Sequence, residues 1–377
     1  MIYLFLFQML FAATKVDFET GLRLENNVFY RDQAAEPDLS LFLKPEVLLY
    51  KDSNKINLFA HLNTEYGKYI SFAELDYLDY DAAIGFMLQV NKKTKMGLSA
   101  DYANITEPSQ FENQEIFQRQ EIKANYRAEY RQSDLTNHYL DIYALMTDYT
   151  ESEFRYMVGQ KIGVDFETEY FFLPETAFLV QFSADQMVYP DGRINDTLTG
   201  TQYLNDSLGY KIAGGFEGRL TEYSLFYFTF GYYVRDYEFD DDFNEPVFEV
   251  SFEEQITPQD TLTAGYLYEL VDSAYTNYEL NQQMYLAYSR VFGDRFILLF
   301  KSNYLYKSFS NPVKREDQKL FGTVQVDYSY KPNWLIKAGF SGDILLSDAY
   351  DTRPESRGDR ASSYQVYQLY LATKVFF

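Results

Sequence analysis

The sequence predicts an all-β fold, a transmembrane antiparallel up-and-down β-barrel of about eighteen strands. Three observations predict it. Apolar and polar residues alternate with a period of two along nearly the whole chain. Short and long connections alternate between those two-faced segments. The chain ends "QVYQLYLATKVFF", an alternating strand that stops on an aromatic residue. Chain ends are usually solvated and poorly ordered, so an apolar strand in that position needs a surface that buries it.

The strands follow in order. Val16, Phe18, Thr20, Leu22 and Leu24 share one face, and Asp17, Glu19, Arg23 and Glu25 the other. Leu39, Leu41, Leu43, Val47 and Leu49 repeat the pattern, and "DSN" leads directly into Ile56, Leu58, Ala60 and Leu62, which is a hairpin. Ala82, Ile84, Phe86, Leu88 and Val90 turn at "NKKT" and return through Met96, Leu98, Ala100 and Tyr102. Later hairpins turn at "RQSDLT", "FLPET", "RLTE", "TPQD", "FGD" and "KPN", and all but "RLTE" contain Pro, Gly, Asp or Asn. Longer connections lie between them: "NNVFYRDQAAEPD", "ITEPSQFENQEIFQ", "YPDGRINDTLTGTQYLND", "YEFDDDFNEP", "SFSNPVKREDQ" and "SDAYDTRPESRGDRASS". Short turns thus follow even strands and long loops follow odd ones. A soluble sandwich also alternates, but this asymmetry is that of an outer-membrane barrel, with short periplasmic turns and long external loops.

Composition agrees. The chain holds 37 Tyr and 33 Phe with a single Trp, yet its mean hydropathy is −0.36. Two-faced strands give that combination. Tyr and Phe crowd the strand ends in "LDYLDYD", "FYFTFGYYVRDY" and "VDYSYKP", where amphipathic rings suit the girdles at a membrane boundary. A net charge of −23 and a pI near 4.5 argue against nucleic acid as a partner. The absence of Cys removes disulfides, thiolate metal sites and Cys nucleophiles. No cofactor is expected. The opening "MIYLFLFQMLFAATK" has an apolar run closing on Ala12 and Ala13, so residues 1–13 read as a signal peptide and 14–377 as one barrel domain. No basic residue precedes Lys15.

If the face shared by Phe377, Val375 and Leu371 meets lipid, the other face lines the lumen. The lumen-lining candidates are then Lys44, Glu46, His61, Glu65, Lys123, Arg127, Glu129, Arg131, Lys161, Asp165, Lys211, Glu249, Lys301, Lys337 and Lys374. Inward aromatics include Phe42, Tyr50, Phe59, Tyr139, Tyr143, Tyr227, Tyr233, Tyr285 and Tyr370, either filling lumen space or forming a track for sugar rings. Phe377, Val375 and Leu371 also resemble the terminal signal by which outer-membrane proteins are recognised for assembly. Lipids, lipopolysaccharide and the assembly machinery of a Gram-negative outer membrane are the expected partners.

Residues 38–102 carry a further resemblance. Pro45, the strand end at Tyr66 and Tyr69, "LDYLDYD" and the "NKKTKMGLSADY" hairpin are similar to a family of β-barrel porins associated with exopolysaccharide gene clusters. The resemblance implies a conduit for polysaccharide export working with periplasmic export proteins. A diffusion porin and a structural or receptor barrel are the alternatives. An enzyme is the weaker reading: His61 and His138 lie on strands too far apart to meet, and no motif points to a His-free pair of catalytic carboxylates. Asp240, Asp241, Asp242 and Glu245 lack the glycine and spacing of a calcium loop and read as solvated loop charge.

Overall fold

The computed structural model describes residues 13–29, 35–108, 116–150, 158–190, 194–195, 202–203, 206–238, 242–272, 278–310, 315–347 and 363–377. The expected signal segment falls outside them except for Ala13, which already pairs with Tyr50. The strands in chain order are β1 (Ala13–Glu25), β2 (Asp38–Lys51), β3 (Ile56–Tyr69), β4 (Tyr77–Asn91), β5 (Thr94–Pro108), β6 (Ile116–Arg131) and β7 (Thr136–Tyr149). There follow β8 (Gly159–Leu173), β9 (Thr176–Val188), the two-residue strands β10 (Ile194–Asn195) and β11 (Gln202–Tyr203), β12 (Ser207–Thr221) and β13 (Ser224–Tyr237). The chain ends with β14 (Phe243–Thr257), β15 (Asp260–Asp272), β16 (Tyr278–Phe292), β17 (Phe296–Phe309), β18 (Glu316–Lys331), β19 (Trp334–Ser347) and β20 (Tyr364–Phe376).

Eighteen of these form one antiparallel sheet in which every strand pairs with its sequence neighbour, β10 and β11 pairing only with each other in the connection from β9 to β12. The sheet closes where β1 pairs with β20, Leu22 opposite Leu371 and Glu19 opposite Lys374. Phe377 extends the seam by exchanging backbone bonds with Val16 at 2.8 and 3.4 Å. Closure leaves no lateral edge for another chain to pair with, which answers why the last strand can be apolar.

Cross-strand register makes all side chains of one parity share a face. Non-adjacent strands meet only on the concave side, and Arg23 of β1 bonds Glu65 of β3 and Tyr77 of β4, so the ion-paired face is the inner one. Away from the two rims, none of the described residues places an Asp, Glu, Lys or Arg side chain on the outer face of a strand. One Lys or Arg there would cost about 2–4 kcal/mol at mid-membrane. Leu22, Ile84, Ile162, Val180, Ile212 and Leu371 stand exposed on that face. Near the short-turn rim it carries ring pairs, Phe172 with Phe178 at 4.4 Å, Phe296 with Tyr328 at 4.8 Å and Tyr330 with Trp334 at 5.1 Å. Towards the other rim Phe248 stacks between Tyr266 and Tyr268. These are two aromatic bands flanking an apolar belt.

Two expected loops are shorter than the sequence suggests, and the expected strand end "LDYLDYD" is the start of a strand. "LDYLDYD" enters β4 at Tyr77 after a single 3-10 turn, Ala73–Leu75. Phe309 is the buried last residue of β17, with Arg315 over its ring. Glu245 lies within β14 and accepts a hydrogen bond from the Tyr268 hydroxyl at 3.1 Å, while Asp240 and Asp241 fall outside the described residues. Polar rim residues look like loop in sequence, but a strand that rises above the apolar belt needs no apolar face there.

Candidate functional site

Alternation built the inner wall, and the wall divides into three groups. Around the closure, Lys337 reaches Glu19 at 2.7 Å, Lys374 reaches Asp17 at 3.2 Å and Glu46 at 3.6 Å, and Lys44 reaches Glu65 at 3.4 Å. His61 stands between Glu46 at 3.3 Å and Asp81 at 3.2 Å. His138 is on the outer face, stacked between Tyr130 and Phe166, so the two histidines lie on opposite sides of the wall. On β6, Arg127 faces Glu129 at 3.7 Å and Asp141 at 3.9 Å, Glu129 also pairs with Lys95 at 3.2 Å, and Lys123 stands opposite Asp101. Arg131 turns down to Asp134 in the short turn. Lys301 stands exposed, between Ala287 and Thr323 in register.

The third group, spanning β8 to β15, holds Lys161, Asp165, Lys211 and Glu249, and here the wall departs from a regular barrel. The β14–β15 ladder stops at Phe248 opposite Tyr268, although β13–β14 pairing continues to Phe243 and β15–β16 pairing to Asp272. Above that point Leu270, Tyr278 and Leu280, which alternation assigns to the outer face, pack on Tyr233, Tyr237, Phe243 and Val247 of the inner face of β13 and β14. The end of the β15–β16 hairpin has therefore slipped inside its neighbours. Pro246 sits in the unpaired stretch of β14, and a proline lacks the amide that a second ladder partner would need.

Asp272 fastens this inward fold. Its carboxylate lies 2.5 Å from Arg235 Nε on β13 and 3.3 Å from Lys161 Nζ on β8. In a circular barrel of eighteen strands spaced by about 4.8 Å and tilted by about 40°, the radius is about 18 Å and strands five places apart stand about 28 Å apart. Lysine and aspartate side chains cannot bridge that distance, so the contact requires the inward fold. Asp185 of β9 holds the same two cations, Arg235 at 2.6 Å and Lys161 at 3.2 Å. Arg235 is fully buried and also bonds Ser207 and the Tyr233 hydroxyl. It reaches Asp185 by lying over Gly209, where a Cβ would come within 2.4 Å of its Nη1. Tyr189, just beyond β9, is buried beside this group, and burial followed by the Asp272 carboxylate pushes its phenol well above the ordinary value.

Below the fold lies a cavity of about 200 Å³ walled in part by Asp165, Lys211, Glu249 and Glu269. Lys211 lies within electrostatic range of all three carboxylates. Several expected inward rings lie flat on glycines of the next strand: Tyr143 on Gly163, Tyr285 on Gly265, Tyr370 on Gly339 and Phe59 on Gly85. They cover backbone rather than project into the lumen, which favours wall packing over a sugar track. Arg23, Arg235, Asp185 and Asp272 are missing from the sequence candidates. Parity places the first three inside, but Asp272 has outward parity and carries no sequence signal.

A closed 18-strand barrel with an apolar belt, aromatic bands and a charged inner wall has the architecture of an outer-membrane β-barrel. No family model matches this chain, and no curated protein does. Among solved structures, Pseudomonas aeruginosa OccK1 (OpdK) is similar with a TM-score of 0.52 at 8% identity, covering 97% of this chain and 100% of that one. Another structure of the outer membrane protein OpdK from Pseudomonas aeruginosa gives a TM-score of 0.50 at 7% identity, covering the same shares. The likeness is one of fold.

Proposed function

We propose that this protein is a diffusion channel of a Gram-negative outer membrane that passes small polar solutes and prefers cations. The observation that carries the reading is the inner wall itself. Every mid-strand charge faces inward, and β8, β12, β14 and β15 set Asp165, Glu167, Glu169, Glu217, Glu249, Glu253 and Glu269 around Lys211. Barrels of 16–18 strands leave an aqueous channel unless plugged. The fold likeness to OpdK supports the channel class. The polysaccharide conduit has no comparable support, because the inward fold of β15–β16 narrows the very mouth a thick polymer would leave by.

The test is the reversal potential of the purified protein in planar bilayers under a tenfold KCl gradient. The expected result is a measurable conductance with a several-fold preference for K⁺ over Cl⁻ at low salt. Anion preference would refute the selectivity, and a protein that inserts without conducting would refute the channel.

A further inference from the structure

A second cavity, of about 240 Å³, lies at the long-loop rim on the other side of the barrel, between the ends of β1, β3, β4 and β20. Its wall includes Arg23, Glu25, Glu65, Tyr69, Tyr77 and Thr106. The cavity is a built one. Asp38 accepts the backbone N–H groups of Ser71 at 2.9 Å and Phe72 at 3.2 Å, which fixes the β3–β4 connection over the mouth. Phe72 in turn meets Phe29 edge to face at 5.0 Å, tying down the connection from β1. Arg23, laid over the Phe42 ring, donates to Glu65 and Tyr77, and Tyr77 donates to Glu65 at 2.6 Å.

Glu25 is the exception in this satisfied wall. It is 1% exposed, and Gln368 donates to its Oε2 at 2.7 Å. Among the described residues its Oε1 has no hydrogen-bond partner, and neither has the buried hydroxyl of Thr106. A buried carboxylate oxygen left without a donor is costly, and native structures keep such a group where water, an ion or a ligand completes it. Among the described residues of the wall the only guanidinium, Arg23, is already engaged by Glu65. What the wall lacks is a group that brings positive charge and several N–H donors at once.

We propose that this cavity is a binding subsite for a small organic cation carrying a primary ammonium group. The ammonium donates to Glu25 Oε1 and the Thr106 hydroxyl, with the phenols of Tyr69 and Tyr77 flanking the rest of the solute. At about 240 Å³ the space suits a solute the size of an amino acid or amino sugar. Its place at the rim makes it the first station for solutes entering the channel proposed above, although binding itself does not depend on conduction.

D-glucamine and D-sorbitol share a polyol chain and differ by an ammonium group. Isothermal titration of the folded full chain in detergent at pH 8 should show glucamine binding at least tenfold tighter than sorbitol. Glu25→Gln, which keeps the shape and the Gln368 contact, should lower glucamine affinity about tenfold, and Thr106→Val two- to threefold. Equal affinity for the two polyols on the unmodified protein would overturn the proposal whatever the variants do. So would glucamine binding that neither variant weakens. A barrel that binds glucamine but carries no current would keep this site and refute the channel, and one that conducts but does not distinguish the polyols would do the reverse.

Discussion

Replacing Asp272 with alanine should loosen the inward fold at the long-loop rim. The substitution removes the 2.5 Å contact with Arg235 and the 3.3 Å contact with Lys161. Neither cation is stranded, because Asp185 still holds Arg235 at 2.6 Å and Lys161 at 3.2 Å. The penalty is therefore that of the lost bonds and not of an unpaired buried charge. Arg235 Nε donates its hydrogen to Ser207, so the contact with Asp272 is a buried ion pair, worth at most about 3 kcal/mol once roughly 4 kcal/mol of Coulomb attraction at an effective dielectric near 20 is set against desolvation. The half-exposed Lys161 adds at most about 1 kcal/mol. Together they shift the docked-to-undocked ratio of the hairpin by at most about 1000-fold. Leu270, Tyr278 and Leu280 keep their apolar contacts, so the fold remains the majority state but opens more often. Single-channel recording in planar bilayers should show added current noise and brief excursions to a higher conductance that the unmodified protein lacks. Traces that match the unmodified protein would mean the apolar contacts alone fix the hairpin and the ionic reasoning is wrong.

Pro246→Val restores an amide to the open stretch of β14, so the β14–β15 ladder should extend upward and raise mean conductance, read in the same bilayers; a narrower or unchanged pore would count against the proline as the cause of the seam. Deleting Phe377 removes only two terminal seam bonds, about 1 kcal/mol each, so refolding in detergent should be nearly unaffected while the heat-modifiable protein assembled in cells falls several-fold. Equal cellular assembly would show that Phe377 is not a recognition residue. Leu371→Arg on the exposed outer face should lower folding stability in lipid by about 2–4 kcal/mol, against less than about 1 kcal/mol for Thr373→Ser, measured by denaturant titration in vesicles.

The barrel was legible because a membrane enforces the alternation that reveals it. Lipid penalises each outward charge, so parity alone assigns Lys161, Lys211 and Glu249 to the same face as Lys374. Seven of the eight short turns were legible for the same reason, since each interrupts the period with Asn, Asp, Gly or Pro; "RLTE" has none of these and was legible only as a break between two alternating runs. The seam above Phe248 was not. Leu270 and Leu280 look like lipid-facing residues in sequence, and their burial on Tyr233 and Phe243 depends on a ladder that ends, which a one-dimensional period does not encode. Pro246 was the available clue, hidden because "YEFDDDFNEP" reads as loop. Pro45 shows why a proline alone would not have settled it: it interrupts the β2–β3 ladder between Leu43 and Glu46 yet leaves the register intact. The Glu25 cavity was equally hidden, because its walls come from strands at both ends of the chain.

The two halves of the inner wall should differ in what they do to a passing ion. Around the closure, Glu19, Glu46, Glu65 and Asp17 each have a cation or His61 within 4 Å, so their fields cancel locally. On β8, Asp165, Glu167 and Glu169 follow at every second residue, about 6.7 Å apart. That is shorter than the Debye length of about 8 Å at physiological ionic strength, so their potentials add. Glu217, Glu249 and Glu269 extend the same field across the wall, opposed by Lys211. Selectivity should therefore arise on this half and be strongly sensitive to salt. At 1 M the screening length falls to about 3 Å, below the spacing of the carboxylates, and the preference for K⁺ should fall towards unity while conductance continues to rise. Replacing Glu249 and Glu269 together with Gln should weaken the preference at 0.1 M and change little at 1 M. A preference that survives 1 M salt undiminished would locate selectivity in a narrow contact at the Arg235 and Asp272 fold instead of in the summed field of the wall.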